Sequence, residues 1–392
     1  MKRRGIQLVS LVTVLMVLVL PEIRPQATQM LDSTAQMLAE LTNAFGPPGQ
    51  EEEVAEVFMR YIKPYVDEIH RDGMGNVIAT KKGTAEGPRV MLTAHLDEVG
   101  FLVKSIDEKG FIRYQTLGGW WSQATLGHTV RIRTRKKGDV KGIFGSKPPH
   151  LLDPQQWEVV VNHKDIFVDI GATSAQDAMD NYGVSPGDYF VPESRFEILN
   201  NPKIYKSRSW DDRVGLGVMV EVLKNLKNTP HPNTVYIVGT TQEESGLRGI
   251  QPAAYGVKPD IAIALEVGIA GDTPDIEKHE SQGRLGGGPQ LWFYDGSMIP
   301  DKNFRDFVWD VGRELRFSMQ YTVVQKAGED GSIVQRSHTG VPVVCLGVPT
   351  RYIHSHNNII HRDDFDQVVK LTTEAVRRLS GDKVKEILPK VP

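Results

Sequence analysis

Cysteine is almost missing from this chain. Cys345 is the one cysteine in 392 residues, so no internal disulfide can form. It lies in the run PVVCLGV and reads as a small buried apolar side chain. A surplus of positive charge is missing too. Lys and Arg number 46 against 49 Asp and Glu, a net charge of −3, which argues against a general nucleic-acid binder. The chain has no internal repeat and no low-complexity tract. What remains, 40% apolar and 24% charged residues, is the composition of an ordinary globular protein. At this length a single core is strained, so one large and one small domain are expected.

A long uncharged apolar run occurs once, at Gly5–Leu20, behind Lys2, Arg3 and Arg4. A basic segment followed by an apolar one has the pattern of a secretory signal, and the run is short for a membrane span. The preferred reading of residues 1–27 is a signal peptide cleaved near Ala27, giving a periplasmic or extracellular protein. An uncleaved N-terminal membrane anchor is the second reading. A mis-assigned start codon, leaving a cytoplasmic protein, is the third.

Beyond the leader, helical spacing over Asp32–Phe45 and again from Val54 to Ile62 predicts two amphipathic helices. A hairpin is expected around Asp72–Asn76. Val90–His95 reads as a buried strand running into His95-Leu96-Asp97-Glu98. In an extended chain His95 and Asp97 point to the same side, so Asp97 can contact the same site or orient the His95 ring. Residues 113–202 differ in texture, with short strand-like runs, many glycines and a basic hairpin at Arg131–Lys141. They read as a small β-barrel inserted into a catalytic domain made of residues 31–112 and 203–385. The loop Pro148–Leu152 reads as a contact surface.

The stretch VYIVGTTQEESG, Val235–Gly246, carries the strongest signal. A buried strand ends in two adjacent carboxylates, Glu243 and Glu244, and strand C-terminal ends are where open α/β sheets collect their sites. One glutamate can hold a cation while the other handles a proton. Other strand or loop ends add His95, Asp211, Glu266 and His354. Two imidazoles and three carboxylates without a thiolate suit Zn²⁺, Co²⁺ or Mn²⁺. Five ligands exceed one catalytic zinc and suit two metals sharing a carboxylate.

The motifs MLTAHLDEVGFLV, GSKPPHLL, DIFVDIGA, SRSWDDRVG, TTQEESGLRG and VPTRYIHS resemble those of the peptidase M42 family, from about Leu41 to Leu379. These are metal-dependent aminopeptidases, often mislabelled endoglucanases. The resemblance implies an α/β fold: a mixed-sheet α/β/α metallopeptidase domain with an inserted β-barrel used for oligomerisation. It implies two divalent ions per subunit, Zn or Co, with His95 and Glu266 on one, Glu244 and His354 on the other, and Asp211 bridging. Glu243 matches the general base, Asp97 the carboxylate that orients His95, and Asp330 a substrate contact. Glu266 stands where the family often has Asp, and His356 where another residue often follows the His-Ser pair. Peptide substrates, no nucleic acid, and a homo-oligomer built from dimers, up to a dodecamer, are the partners implied. A membrane is a partner only if the N-terminal segment stays attached. Two other readings stand beside this one: a dimetal deacylase or carboxypeptidase, motivated by Glu266, and a catalytically silent scaffold.

Overall fold

A computed structural model describes residues 30–84 and 86–388, so the reading of residues 1–27 lies outside the described residues. No helix among the described residues is long and apolar enough to cross a membrane.

The large sheet has eleven strands. A hairpin, β1 (Glu68–Arg71) and β2 (Val77–Lys81), forms one edge, and β3 is Arg89–His95. The barrel takes the next six strands: β4 (Gly100–Ile106), β5 (Ile112–Leu117), β6 (Thr129–Thr134), β7 (Gly138–Gly145), β8 (Phe167–Asp169) and β9 (Tyr189–Pro192). The chain then returns to the large sheet with β10 (Glu197–Ile198), β11 (Ile204–Ser207), β12 (Thr234–Thr240) and β13 (Ile261–Ile269). It finishes with β14 (Gln290–Tyr294), β15 (Gln320–Val323), β16 (Val343–Arg351) and β17 (Asn358–His361). The order across the sheet is β1-β2-β12-β3-β13-β16-β17-β11-β10, with β14 on β16 and β15 on β14. The centre, β12-β3-β13-β16, is parallel, and its flanking pairs are antiparallel.

Buried on both faces, the central strands are near-continuous apolar runs, as a parallel sheet between helices requires. Along β3, Val90, Leu92 and Ala94 join the core under the helices Ser33–Asn43, Glu52–Ile62, Trp210–Leu226 and Arg362–Arg378. Met91 faces the other way, with Val238, Ala262, Ala264 and Cys345, under Ile250–Val257 and Gly331–Gln335. Cys345 is fully buried, in keeping with a small apolar role. The result is an α/β/α sandwich carrying a closed antiparallel six-strand barrel.

The barrel starts earlier than residue 113. β4, left in the 31–112 segment by the sequence, pairs with β9 through Phe101↔Phe190 and closes the cylinder. At the other end, β10 and part of the 113–202 segment belong to the large sheet. The sequence signal misled because β4 is an apolar run directly after a catalytic-type motif. Phe101, Phe144 and Phe190 form the barrel core, with Phe101 stacked on Phe190 at 5.0 Å.

One buried acid fixes a loop at the sheet margin. Asp364 accepts from the amides of Gly286 (2.7 Å) and Gly288 (2.8 Å), and burial pushes its carboxyl up to about 6. Asp364→Ala strands those amide donors and is expected to lower unfolding free energy by about 1–3 kcal/mol, read by urea denaturation. An unchanged midpoint would count against this role.

Candidate metal centre

Parallel register brings the site together. Thr240 at the end of β12 lies beside His95 at the end of β3, and Glu266 on β13 lies beside Gly347 on β16. Asp211 and Asp212 have non-helical backbone angles at the start of Trp210–Leu226, so the two carboxylates diverge. Asp212 turns inward, accepting from the Gly215 (3.1 Å) and His95 (3.3 Å) amides, while Asp211 turns to the cleft. Asp212 thus serves the backbone donors at the start of this helix.

All five metal-type ligands converge. His95 Nε2 is 3.0 Å from Asp211 Oδ1 and 3.8 Å from both Glu243 Oε2 and Glu266 Oε1. His354 Nε2 is 3.3 Å from Asp211 Oδ2 and 3.3 Å from Glu244 Oε1. Asp211 thus offers one oxygen to each imidazole. Two ligand triplets have donor atoms within 4.8 Å of one another: His95, Asp211 and Glu244, and His95, Glu243 and Glu266.

The electrostatics call for added positive charge. Burial pushes Glu243 and Glu266 well above the usual carboxylate range, and neighbouring acids push the same way. Burial would lower His95 and His354, yet the surrounding carboxylates hold both well above an ordinary histidine. Burial would raise Asp211, but hydrogen bonds from His354 and His95 keep it below its ordinary value. Glu244 Oε1 is buried and, apart from His354 Nε2 at 3.3 Å in a geometry short of a hydrogen bond, has no polar partner among the described residues. A donor set of nitrogen and carboxylate oxygens with an orphaned oxygen fits divalent cations.

Glu243 and Glu244 sit in an irregular turn, with Gln242 at φ +56° and Leu247 at φ +54°, rather than in a helix. The turn is held from outside. The Asn76 side chain bonds the Thr241 amide (2.9 Å) and the Gly249 carbonyl (2.8 Å), and Glu51 accepts from the Gln242 amide (3.1 Å).

Asp97 acts differently from the sequence expectation. Its carboxylate accepts from the Glu243 and Glu244 amides, each at 3.0 Å, and lies 3.7 Å from His95 Nδ1. The His95 ring is oriented by the Asp97 backbone carbonyl, 3.0 Å from Nδ1. Burial pushes the Asp97 carboxyl up to about 7, against the pull of His95. Two residues along the strand do share a side, but the Asp97 side chain reaches past the ring to two free amides.

Asp330 lies behind the site. It is buried, bonds Thr240 Oγ1, and is outside the cavity wall, which its neighbour Glu329 helps to form. His356 stands away from the ligands. It stacks on His128 of the barrel at 4.1 Å, and burial lowers it to about 3.

The ligands open into a cavity of ≈520 Å³. Its wall is largely apolar, from Val267, Ile269, Ala270, Ile276, Trp292 and Ile353, with Lys326 and Glu329 as its further charged residues. Such a space suits one amino-acid side chain placed beside the metals.

The sequence reading missed Glu51, Asn76, Glu98 and the Gly118-Gly119 pair as supports. Glu98 is buried and receives Arg208 in two bonds (2.7 and 3.0 Å), with Arg213 at 3.4 Å. Its signal was the acidic residue directly after the His-x-Asp pattern.

Comparison with known proteins follows this geometry. The profile described as M42 glutamyl aminopeptidase matches residues 75–371. The putative aminopeptidase FrvX of Escherichia coli K12 is 35% identical over 349 residues, 89% of this chain and 96% of that protein. The TET aminopeptidase of Thaumarchaeota archaeon SCGC AB-539-E09 is 40% identical, with a TM-score of 0.87 over 91% of this chain and 99% of that one. The TET1 peptidase of Pyrococcus horikoshii, described as assembling into a tetrahedron or a large octahedral shell, is 30% identical. Its TM-score is 0.77, covering 88% of this chain and 100% of that one.

Proposed function

We propose, from the premise that the chain belongs to the M42 glutamyl aminopeptidase family, that it is a metal-dependent aminopeptidase releasing N-terminal residues from peptides. The observation that carries the reading is the split of the Asp211 carboxylate, Oδ1 toward His95 at 3.0 Å and Oδ2 toward His354 at 3.3 Å. His95 and Glu266 would hold one divalent cation, Glu244 and His354 a second, and Asp211 both. Zn²⁺ or Co²⁺ suits these donors. When bound, the pair supplies Lewis acidity, easing ionisation of water and polarising the scissile carbonyl.

The chain's own groups do the rest. Glu243 takes a proton from the attacking water and returns it to the leaving amine. Asp97, gripping both amides of the Glu243-Glu244 turn, holds the base and the neighbouring ligand in one frame. The apolar cavity receives the N-terminal side chain. A homo-oligomer is the assembly we infer. The assemblies of the P. horikoshii relative and the exposed barrel residues Leu151, Trp157, Val159 and Val160 support it.

The test is residue release from matched free and N-acetylated peptides by metal-reconstituted protein. Free peptides alone are expected to be cleaved. Turnover of the acetylated set would instead favour a deacylase, the reading that Glu266 motivates by its extra methylene.

A further inference from the structure

His354 reaches the site from a half-buried turn whose backbone Asn358 pins through the Tyr352 (2.7 Å) and Ser355 (3.1 Å) carbonyls, while the ring itself extends beyond those bonds. Its side chain is 34% exposed, its backbone is left-handed at φ +56°, and neighbouring Tyr352 is left-handed too. Its ring is nevertheless aimed. Nδ1 donates to the Gly119 carbonyl at 2.7 Å, which leaves Nε2 facing Asp211 and Glu244. Gly119 belongs to the barrel, in the loop between β5 and β6.

That loop is fitted to the site at two points. Gly118 has φ +83°, and a Cβ there would lie 2.9 Å from Glu244 Oε2 and 2.6 Å from Val99 Cγ1. A Cβ on Gly119 would lie 3.3 Å from His354 Nδ1. The loop is anchored in the barrel. The Trp120 ring lies 4.6 Å from Phe101, and the Trp120 carbonyl is 3.2 Å from His163 Nε2, whose Nδ1 is 3.1 Å from the Tyr114 hydroxyl. The other imidazole has no such debt to the barrel: His95 Nδ1 meets the Asp97 carbonyl of its own segment.

We propose that the barrel loop Gly118–Trp121 is a positioning element for one of the two metal sites, setting the ring of His354 through the Gly119 carbonyl and, by having no Cβ at Gly118, leaving the space that Glu244 occupies. The barrel is then part of the hydrolytic centre as well as a surface for assembly. This inference rests on the metal set proposed above. Partners that fix the free ring nitrogen of a metal-bound histidine typically matter about 10–100-fold in metal affinity.

The experiment is a Co²⁺ titration of the metal-stripped full chain, followed by visible absorption and by calorimetry. Wild type is expected to bind two ions. In Gly119→Val one ion is expected to bind about 10–100-fold more weakly, with the other unchanged. His354→Asn, which removes the ligand itself, marks which isotherm is lost. Equal weakening of both ions, or two unaltered ions, would overturn the inference, and so would a wild type that binds a single ion. If Gly119→Val does not fold by circular dichroism, Gly119→Ala and Tyr114→Phe carry the same readout with smaller steric change. Two ions bound by a wild type that cleaves no free peptide would defeat the aminopeptidase reading while leaving this comparison intact.

Discussion

Glu243→Gln is expected to lower kcat by about 10²–10⁴-fold, the range a positioned general acid–base contributes. Substitution removes the proton acceptor and keeps the shape. The Asp97 bonds go to backbone amides, so the turn is expected to survive. The same variant separates two roles open to this carboxylate. Glu243 Oε2 and Glu266 Oε1 stand at the same 3.8 Å from His95 Nε2, so distance alone does not divide base from ligand. A base gives lost turnover with two ions still bound, by metal analysis, and a nearly constant KM. Loss of one ion along with turnover would reassign Glu243 to the metal and leave the base to be sought elsewhere.

Glu98→Gln is expected to cost about 3–5 kcal/mol of stability, because it leaves two guanidinium groups buried without their counter-charge. Arg208 and Arg213 are fully enclosed, and burial lowers Arg213 to about 10 even with Glu98 beside it. Most of their other bonds go to carbonyls of the N-terminal segment, Arg208 to Ala44 (2.9 Å) and Arg213 to Leu41 (2.8 Å), while Arg208 also donates to the Ser194 carbonyl (3.1 Å). Glu98 therefore ties the His95-Asp97 segment to the first helix and to the start of Trp210–Leu226. Urea unfolding of the single variant, compared with Glu98→Leu combined with Arg208→Leu, measures this. The double variant is expected to recover part of the loss. A single variant within about 0.5 kcal/mol of wild type would mean that the ion pairs are dispensable.

The ligands were legible because each is a strong local signal. His95, Glu243 and Glu266 end or sit near the end of apolar strands, and strand ends are readable from hydropathy alone. What escaped was side-chain reach and contact across the chain. No pattern in the sequence distinguishes an Asp97 carboxylate that orients a ring from one that caps two amides, since the two alternatives differ by less than an ångström of reach. Glu51 and Asn76 touch a turn some 190 and 165 positions away. Gly118-Gly119 looked like ordinary loop glycine because the reason for it, the approach of Glu244 and His354, lies in other segments. The barrel margin at β4 failed for a related cause: an apolar run states that it is buried, and leaves open in which sheet.

The pairing of β4 with β9 has a consequence for how this chain folds. The insertion enters at Gly100 and leaves at Pro192, yet Phe101 and Phe190 are neighbours across one pair of strands. Unfolded, this insertion makes up most of a long tether between His95 and Asp211, costly to close. Once the barrel has formed, its ends are already together and the tether behaves as one of roughly twenty-five residues. The closure entropy saved is about 1.4 kcal/mol, from a little over two halvings of loop length. A barrel that folds first would therefore speed the docking of the two half-domains, and slowing its closure is expected to slow appearance of the whole catalytic sheet.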